Sequence, residues 1–281
     1  MDTKRRALLG LIGALPAWRT SFAATSGVGE SPTEPSETEA VKPRHVLCFL
    51  GRDRDLSPLL DAASSAVRDF ADGFIADEAY SQPEPDNRMV ESFNVCWDRV
   101  EPGAWTEADE AAVASHQSVL YVLGPPMTKS NAVTVTIGAL FLVDHMIDKG
   151  AVAVKGESAG IAHGLVRWKQ LALQGAAALK ADDALGQRRI GRLAFAKRPL
   201  SARGYLESVG FHLVGLPEVY VPISQASERE AVATMDAVAD EIATQGLEAI
   251  LKKRGASLSF ESQYAEDEFK FNPYGTVKLA G

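Results

Sequence analysis

Cysteine is nearly missing from this sequence, which has only Cys48 and Cys96 in 281 residues. Two cysteines build no disulfide framework and, without a C-x-x-C pair, no thiolate metal site. Histidine is also sparse, at five residues. There is no H-E-x-x-H and no Asp-rich calcium loop. Asp144, His145 and Asp148 share one helical stretch, where solvated carboxylates beside a packed helix explain them better than a metal. No G-x-G-x-x-G follows a strand and no Walker loop occurs, so neither a metal nor a nucleotide cofactor is expected. No segment approaches the roughly 20 uncharged apolar residues that a membrane span needs. Basic stripes are absent too, apart from the short stretch from Gln187 to Arg192. With a net charge of −8, the chain repels phosphate backbones and anionic lipid, which argues against nucleic-acid binding.

What is present is an ordinary globular composition, 46% hydrophobic and 23% charged, preceded by an export signal. Met1 to Ala23 carries a basic cluster (Lys4, Arg5, Arg6), an apolar run from Ala7 to Trp18 and a small-residue end, the layout of a secretory signal peptide. The order Lys4-Arg5-Arg6-Ala7-Leu8-Leu9 resembles the bacterial twin-arginine signal, which implies cargo folded before export to the periplasm or beyond. A Sec signal is the competing reading. Cleavage between Ala23 and Ala24 removes a net +3, leaving a mature protein of charge −11. Residues 24–44 are Ser, Thr, Glu, Pro and Gly with almost no large apolar side chain. The expectation there is a disordered acidic linker.

Residues 45–281 then form the expected single compact body, with a sub-boundary near 180–192. Apolar runs at His45 to Gly51, Met89 to Val100, Ser118 to Leu123 and Ala151 to Lys155 read as strands. Leu56 to Phe70, Thr106 to Ala114, Ser130 to Lys149 and a segment opening near Ile161 read as helices. The spacing predicts an α/β (α+β) fold, a split βαβ, ferredoxin-like sheet with helices packed on it, in two related halves. Further along, Leu193 to Ala196, Val209 to Val214 and Val219 to Ile223 suggest short strands. Ser227 and Glu230 form an S-x-x-E capping box opening a helix that continues to Gly255, and a strand lies near Leu258 to Phe260. If the first two predicted strands flank a third, Cys48 and Cys96 lie about 10 Å apart, beyond the roughly 7 Å limit for a bridge. Free thiols are therefore expected.

The sharpest local pattern is Gly156-Glu157-Ser158-Ala159-Gly160, a G-x-S-x-G between an apolar strand and a predicted helix. A nucleophile elbow has this layout, with glycines permitting the tight turn and the helix N-terminus supplying donors for an oxyanion. The run from Val119 through the long helix to Ser158-Ala159-Gly160 is similar to serine peptidases of the cyanophycinase and peptidase E type, which implies Ser158 as nucleophile. Those enzymes carry a histidine downstream, and Ala181 to Leu193 here holds none. Candidate bases are therefore His163, one helical turn past Ser158, and His212, in the Ser-acid-His order of hydrolases. The alternative is that Ser158 caps the helix predicted near Ile161.

The wider segment Lys155 to Gly164 with Trp168, followed by Ser208 to Glu218, resembles bacterial α/β families of unknown function. In those families a Ser-Gly-x-x-His turn precedes a Gly-Leu-Pro-Glu step, and the likeness implies no activity. Lys155, Glu157 and Arg167 could gather as ligand-binding groups at a strand's C-terminal end, with a solvated Lys-Glu pair as the alternative. The expectation for function is a binding or interaction protein of the cell envelope, recognising another envelope protein through an acidic face or holding a small ligand. The alternative is a serine peptidase or esterase using Ser158.

Overall fold

The structure is a computed structural model that describes residues 42–261 and 270–281. The proposed signal peptide and most of the linker lie outside the described residues. In chain order the first part comprises β1 (Val46–Gly51), α1 (Ser57–Asp69), β2 (Ile75–Ala76), α2 (Arg88–Cys96), α3 (Glu107–Ser115) and β3 (Ser118–Leu123). It continues with α4 (Ala132–Asp148), β4 (Ala151–Gly156), β5 (Ile161–His163), α5 (Leu165–Lys180) and α6 (Ala184–Phe195). The second part holds β6 (Lys197–Ala202), β7 (Tyr205–Val209), β8 (Glu218–Pro222), α7 (Glu228–Gln245), α8 (Leu247–Arg254), β9 (Ser257–Ser259) and β10 (Thr276–Lys278). The predicted α/β class holds.

The first sheet has the order β2-β3-β1-β4-β5, with β1 antiparallel to both β3 and β4. Strands β3 and β4 are thus parallel to each other and joined by α4 with β1 between them, a split βαβ unit. Its two faces explain the unbroken apolar runs in the sequence. Leu47, Phe49, Leu120, Val122 and Val154 face one core with buried residues of α1, α4, α5 and α6. Val46, Cys48, Leu50, Val119, Tyr121 and Ala153 face a second core under α2 and α3. Strands covered on both sides lose the polar alternation that a half-exposed strand shows.

The second sheet has a different order, β6-β7-β8-β10-β9, with β8 and β10 parallel and the other pairs antiparallel. Its core is Leu206, Val219, Val221 and Val277 against Ala231, Met235, Val238 and Ile242 of α7. The capping box is formed: Ser227 Oγ accepts from the Glu230 amide at 3.4 Å, and Glu230 Oε2 accepts from the Ser227 amide at 2.9 Å.

Several expected elements are corrected. Met89 to Val100 is no strand: Met89, Phe93 and Cys96 recur at helical spacing, and α2 buries those three. Val90 and Val95 point outward, 49% and 60% exposed, which a buried strand would not allow. Leu193 to Ala196 is the end of α6 rather than a strand. The run Val209 to Val214 breaks at Gly210, whose φ of 112° opens a 3-10 turn over Phe211–Val214. The helix after Ser158 begins at Leu165, because Ile161–His163 first pairs as β5 with β4. Gly246, at φ 88°, divides the last long helix into α7 and α8. Cys48 and Cys96 are buried free thiols. The reason is not the anticipated strand spacing, since Cys96 sits on α2 above the sheet. Burial pushes the Cys48 thiol up to about 12, so it is an inert apolar filler.

Candidate functional site

Residues 157–160 connect β4 to β5 as a tight hairpin turn, closed by the Gly160 amide on the Glu157 carbonyl at 3.2 Å. Gly160 has φ 68°, the left-handed conformation that the turn requires. The G-x-S-x-G pattern is therefore a strand-to-strand turn and not a strand-to-helix elbow. Ser158 is 1% exposed. Its hydroxyl donates to the Arg44 carbonyl at 2.8 Å and accepts from the Val46 amide at 2.9 Å. It clamps the chain where it enters β1. Both the proton and the lone pair that a nucleophile would use are committed to backbone. The helix-cap reading fails as well, because β5 intervenes before α5.

The two candidate bases are engaged elsewhere. His163, on β5, is fully buried with its ring edge-on to Trp168 at 4.7 Å. Its Nε2 faces the Ala194 carbonyl at 3.0 Å, which assigns the proton to that nitrogen, while Nδ1 stands 3.5 Å from Asp98 Oδ2. Burial lowers its pKa to about 4, with Asp98 opposing that shift. His212 lies in the 3-10 turn with Nδ1 3.1 Å from Glu218 Oε1.

Glu218 organises the second half, and its only sequence signal is the Gly-Leu-Pro-Glu step. Although fully buried, it accepts from Ser208 Oγ (2.6 Å), the amides of Gly210 (3.0 Å) and Phe211 (2.9 Å), His212 Nδ1 (3.1 Å) and Asn272 Nδ2 (3.0 Å). Burial pushes its carboxyl up, but the His212 bond and charge, with the Ser208 and Asn272 bonds, outweigh that and hold it below its ordinary value. The adjoining cavity, lined by Ser208, Glu218 and Asn272, measures about 10 Å³, room for one water. Glu218 is a structural knot.

Lys155 and Glu157 lie two apart in sequence at the end of β4, so both point to the α2 side of the sheet. Lys155 Nζ reaches Glu157 Oε1 at 2.8 Å and Ser92 Oγ at 2.5 Å, and sits 5.3 Å from the centre of the Phe93 ring. Burial disfavours its charge, yet the Glu157 carboxylate outweighs burial and raises its pKa. Lys155 is thus a satisfied cation and a poor base. Arg167, in the first turn of α5, lies apart from them, with Nη2 3.7 Å from Glu101 Oε2.

The candidate residues therefore sort into separate places rather than one site. Ser158 holds the β1 entry, Lys155 and Glu157 sit under α2, His212 binds Glu218, and His163 with Arg167 marks the β5–α5 junction. Sequence reasoning missed Asp98, which stands 3.5 Å from His163 Nδ1 and falls in no motif. Among the described residues no cluster of three or more metal-ligating side chains occurs, and no helix is long and apolar enough to cross a membrane. No family model, curated protein or solved structure matches the chain.

Proposed function

We propose that the protein is an exported binding protein of the cell envelope that docks a partner protein on the outer face of α5. The observation carrying this reading is a pair of large apolar side chains turned to solvent, Val166 at 73% and Leu173 at 72% exposure. They are seven residues apart, so they stand two turns, or about 10.5 Å, apart on one stripe with Gln170 and Ala177. Aligned exposed anchors of this kind fit a helix or strand laid along the stripe. The charges on α5 itself are Arg167, Lys169 and Lys180, of which Arg167 stands by Glu101 and Lys169 pairs with Asp148, so the stripe carries little net charge of its own. The partner this face suits is an apolar helix or strand, so the docking face is an apolar one rather than the acidic one expected from overall charge. Ser158, held on backbone groups, gives the hydrolase alternative no support.

The test is a photo-crosslinking amino acid placed at Leu173, and separately at Arg229 of α7, in the protein expressed in its native host. A discrete adduct from position 173 that is absent from position 229 and lost on adding Val166→Asp is expected. No adduct, or the same adducts at both positions, would overturn the reading.

A further inference from the structure

Leu140, Asp144 and Asp148 recur every fourth residue on α4 and so lie along one side of that helix. That side faces α5. Asp148 Oδ1 bonds Lys169 Nζ, and a Cβ placed on Gly175 would meet Leu140 Cδ2 at 3.2 Å. The two helices therefore run antiparallel, and Asp144, midway between Leu140 and Asp148, stands level with Ala172 and Leu173. On α5 the matching edge is Val166, Lys169, Leu173 and Ala176, at i+3 and i+4 spacing, with Val166 and Leu173 the large apolar side chains turned to solvent. Across α4 from Asp144 comes Phe141, half-buried, whose ring meets that of Phe70, just past α1, edge-on at 6.4 Å. Phe70 is 39% exposed. One carboxylate thus lies between two apolar anchors, Val166 with Leu173 and Phe141 with Phe70.

That carboxylate lacks a counter-ion of its own. Asp144 is half-buried and makes no hydrogen bond or ion pair among the described residues. Lys169 is held by Asp148, so one ammonium faces two carboxylates and leaves a net charge of −1. His145, the next residue, turns the other way, with Nε2 3.0 Å from Ser65 Oγ of α1. Burial, then the like charge of Asp148, pushes the Asp144 carboxyl above its ordinary value, with Lys169 and His145 opposing that shift.

This charge selects among occupants of the α5 face. A wholly apolar segment laid over Leu173 would strip water from Asp144 and return nothing, leaving a charge buried without a partner. A segment that brings a cation turns the same burial into a charge-assisted hydrogen bond. Packed helices lie about 8–10 Å apart, so the two anchors are about two helical turns apart and the cation belongs about one turn from each. Building on the α5 docking reading, we infer that the partner is a different protein whose docking segment carries a lysine or arginine that pairs with Asp144, between apolar side chains seated on the two anchors.

The photo-crosslinking amino acid at Leu173 tests this when the adduct is digested and the attached peptide is sequenced by mass spectrometry. A lysine or arginine within four residues of the attachment point is expected. Asp144→Asn should lower the adduct yield about tenfold, and Asp144→Lys should abolish it. Changing the partner's basic residue to glutamate should restore the adduct with Asp144→Lys, which a merely structural role of Asp144 would not allow. Circular dichroism verifies that both variants fold. A yield indifferent to Asp144→Asn, an attached peptide without a nearby basic residue, or an adduct of twice the protein's own mass, showing a second copy there, would overturn the inference and leave the docking face standing. Absence of any adduct would overturn the docking face and this inference with it.

Discussion

At the scale of single residues, polar side chains here mostly hold the backbone in place. Ser158 shows how a motif can be visible in sequence while its role is not. The five residues 156–160 are the same in an elbow and in a hairpin turn, and only the element after Gly160, a strand instead of a helix, separates the two. Ile161–His163 has only three residues in which to pair with β4, too short to show a strand period. Ser158→Ala should cost about 1–3 kcal/mol in urea denaturation, because the Val46 amide and Arg44 carbonyl lose a buried partner. Wild-type protein should show no fluorophosphonate labelling at Ser158, and labelling lost in the alanine variant would contradict that. The buried histidines set a pH dependence. Burial, aided by the charge of His212, lowers His45 to about 3; burial lowers His163 to about 4. Both are unprotonated in folded and unfolded chains above the ordinary value of about 6.5, so they contribute no slope there. Below it the unfolded chain takes up protons that the folded chain refuses. Stability should fall by about 1.4 kcal/mol per pH unit for each histidine, from near pH 6.5 down to about 4 for His163 and about 3 for His45. Denaturation midpoints at pH 7, 6 and 5 measure this slope, and His45→Gln should make it shallower.

At the scale of elements, legibility in the sequence was set by length and by how evenly the two faces differ. The strands β1, β3 and β4 and the long helix α4 were recoverable because their apolar runs are bounded by glycine or proline and match the expected lengths. The helical phase of α2 is hidden in the sequence because Val90 and Val95 are apolar yet exposed, and they mask the Met89, Phe93, Cys96 period. Glycines carried more information than their number suggests, as two of them show by contrast. Both Gly210 and Gly246 have positive φ, 112° and 88°. A Cβ on Gly210 would meet the Phe195 carbonyl oxygen at 2.7 Å and Ala159 Cβ at 2.8 Å, whereas one on Gly246 would meet nothing within 4 Å. Gly246→Ala therefore meets no atom and bears only the strain of its backbone at φ 88°, ψ 154°, a region essentially limited to glycine, about 1–3 kcal/mol. Gly210→Ala adds to its positive-φ strain a clash with backbone that cannot yield, and should cost about 1–3 kcal/mol more. Urea midpoints of the two variants decide this; equal losses would mean that the 3-10 turn shifts to make room.

At the scale of the whole molecule, two cores of different strand order must act together, and α6 with the start of β6 is where they meet. Phe195 packs into the first core and Ala196 into the second, one residue later. Beyond the sub-boundary expected near 180–192, the ion pairs of this junction are not legible in the sequence, where Gln187 to Arg192 is only a short basic stretch. In the fold Arg192 is 3% exposed and binds Asp236 Oδ1 at 3.0 Å and Asp240 Oδ1 at 3.1 Å on α7. Arg198 takes the other Asp236 oxygen. The Asp236 carboxylate thus bridges two buried guanidinium groups and ties α6 and β6 to α7, with Asp240 as a second partner of Arg192. Breaking a fully buried ion pair costs about 3–5 kcal/mol, and Asp236 is 26% exposed, so solvent offsets part of the loss. Asp236→Ala should therefore destabilise by about 2–3 kcal/mol. The loss should fall unevenly. Hydrogen exchange should speed up in α7 and β6 to β8, whose hold on α6 is weakened, while β1, β3 and β4 keep their protection. Uniform acceleration across both sheets would instead show that the two cores unfold as one unit, with the arginine cluster contributing stability to all of it.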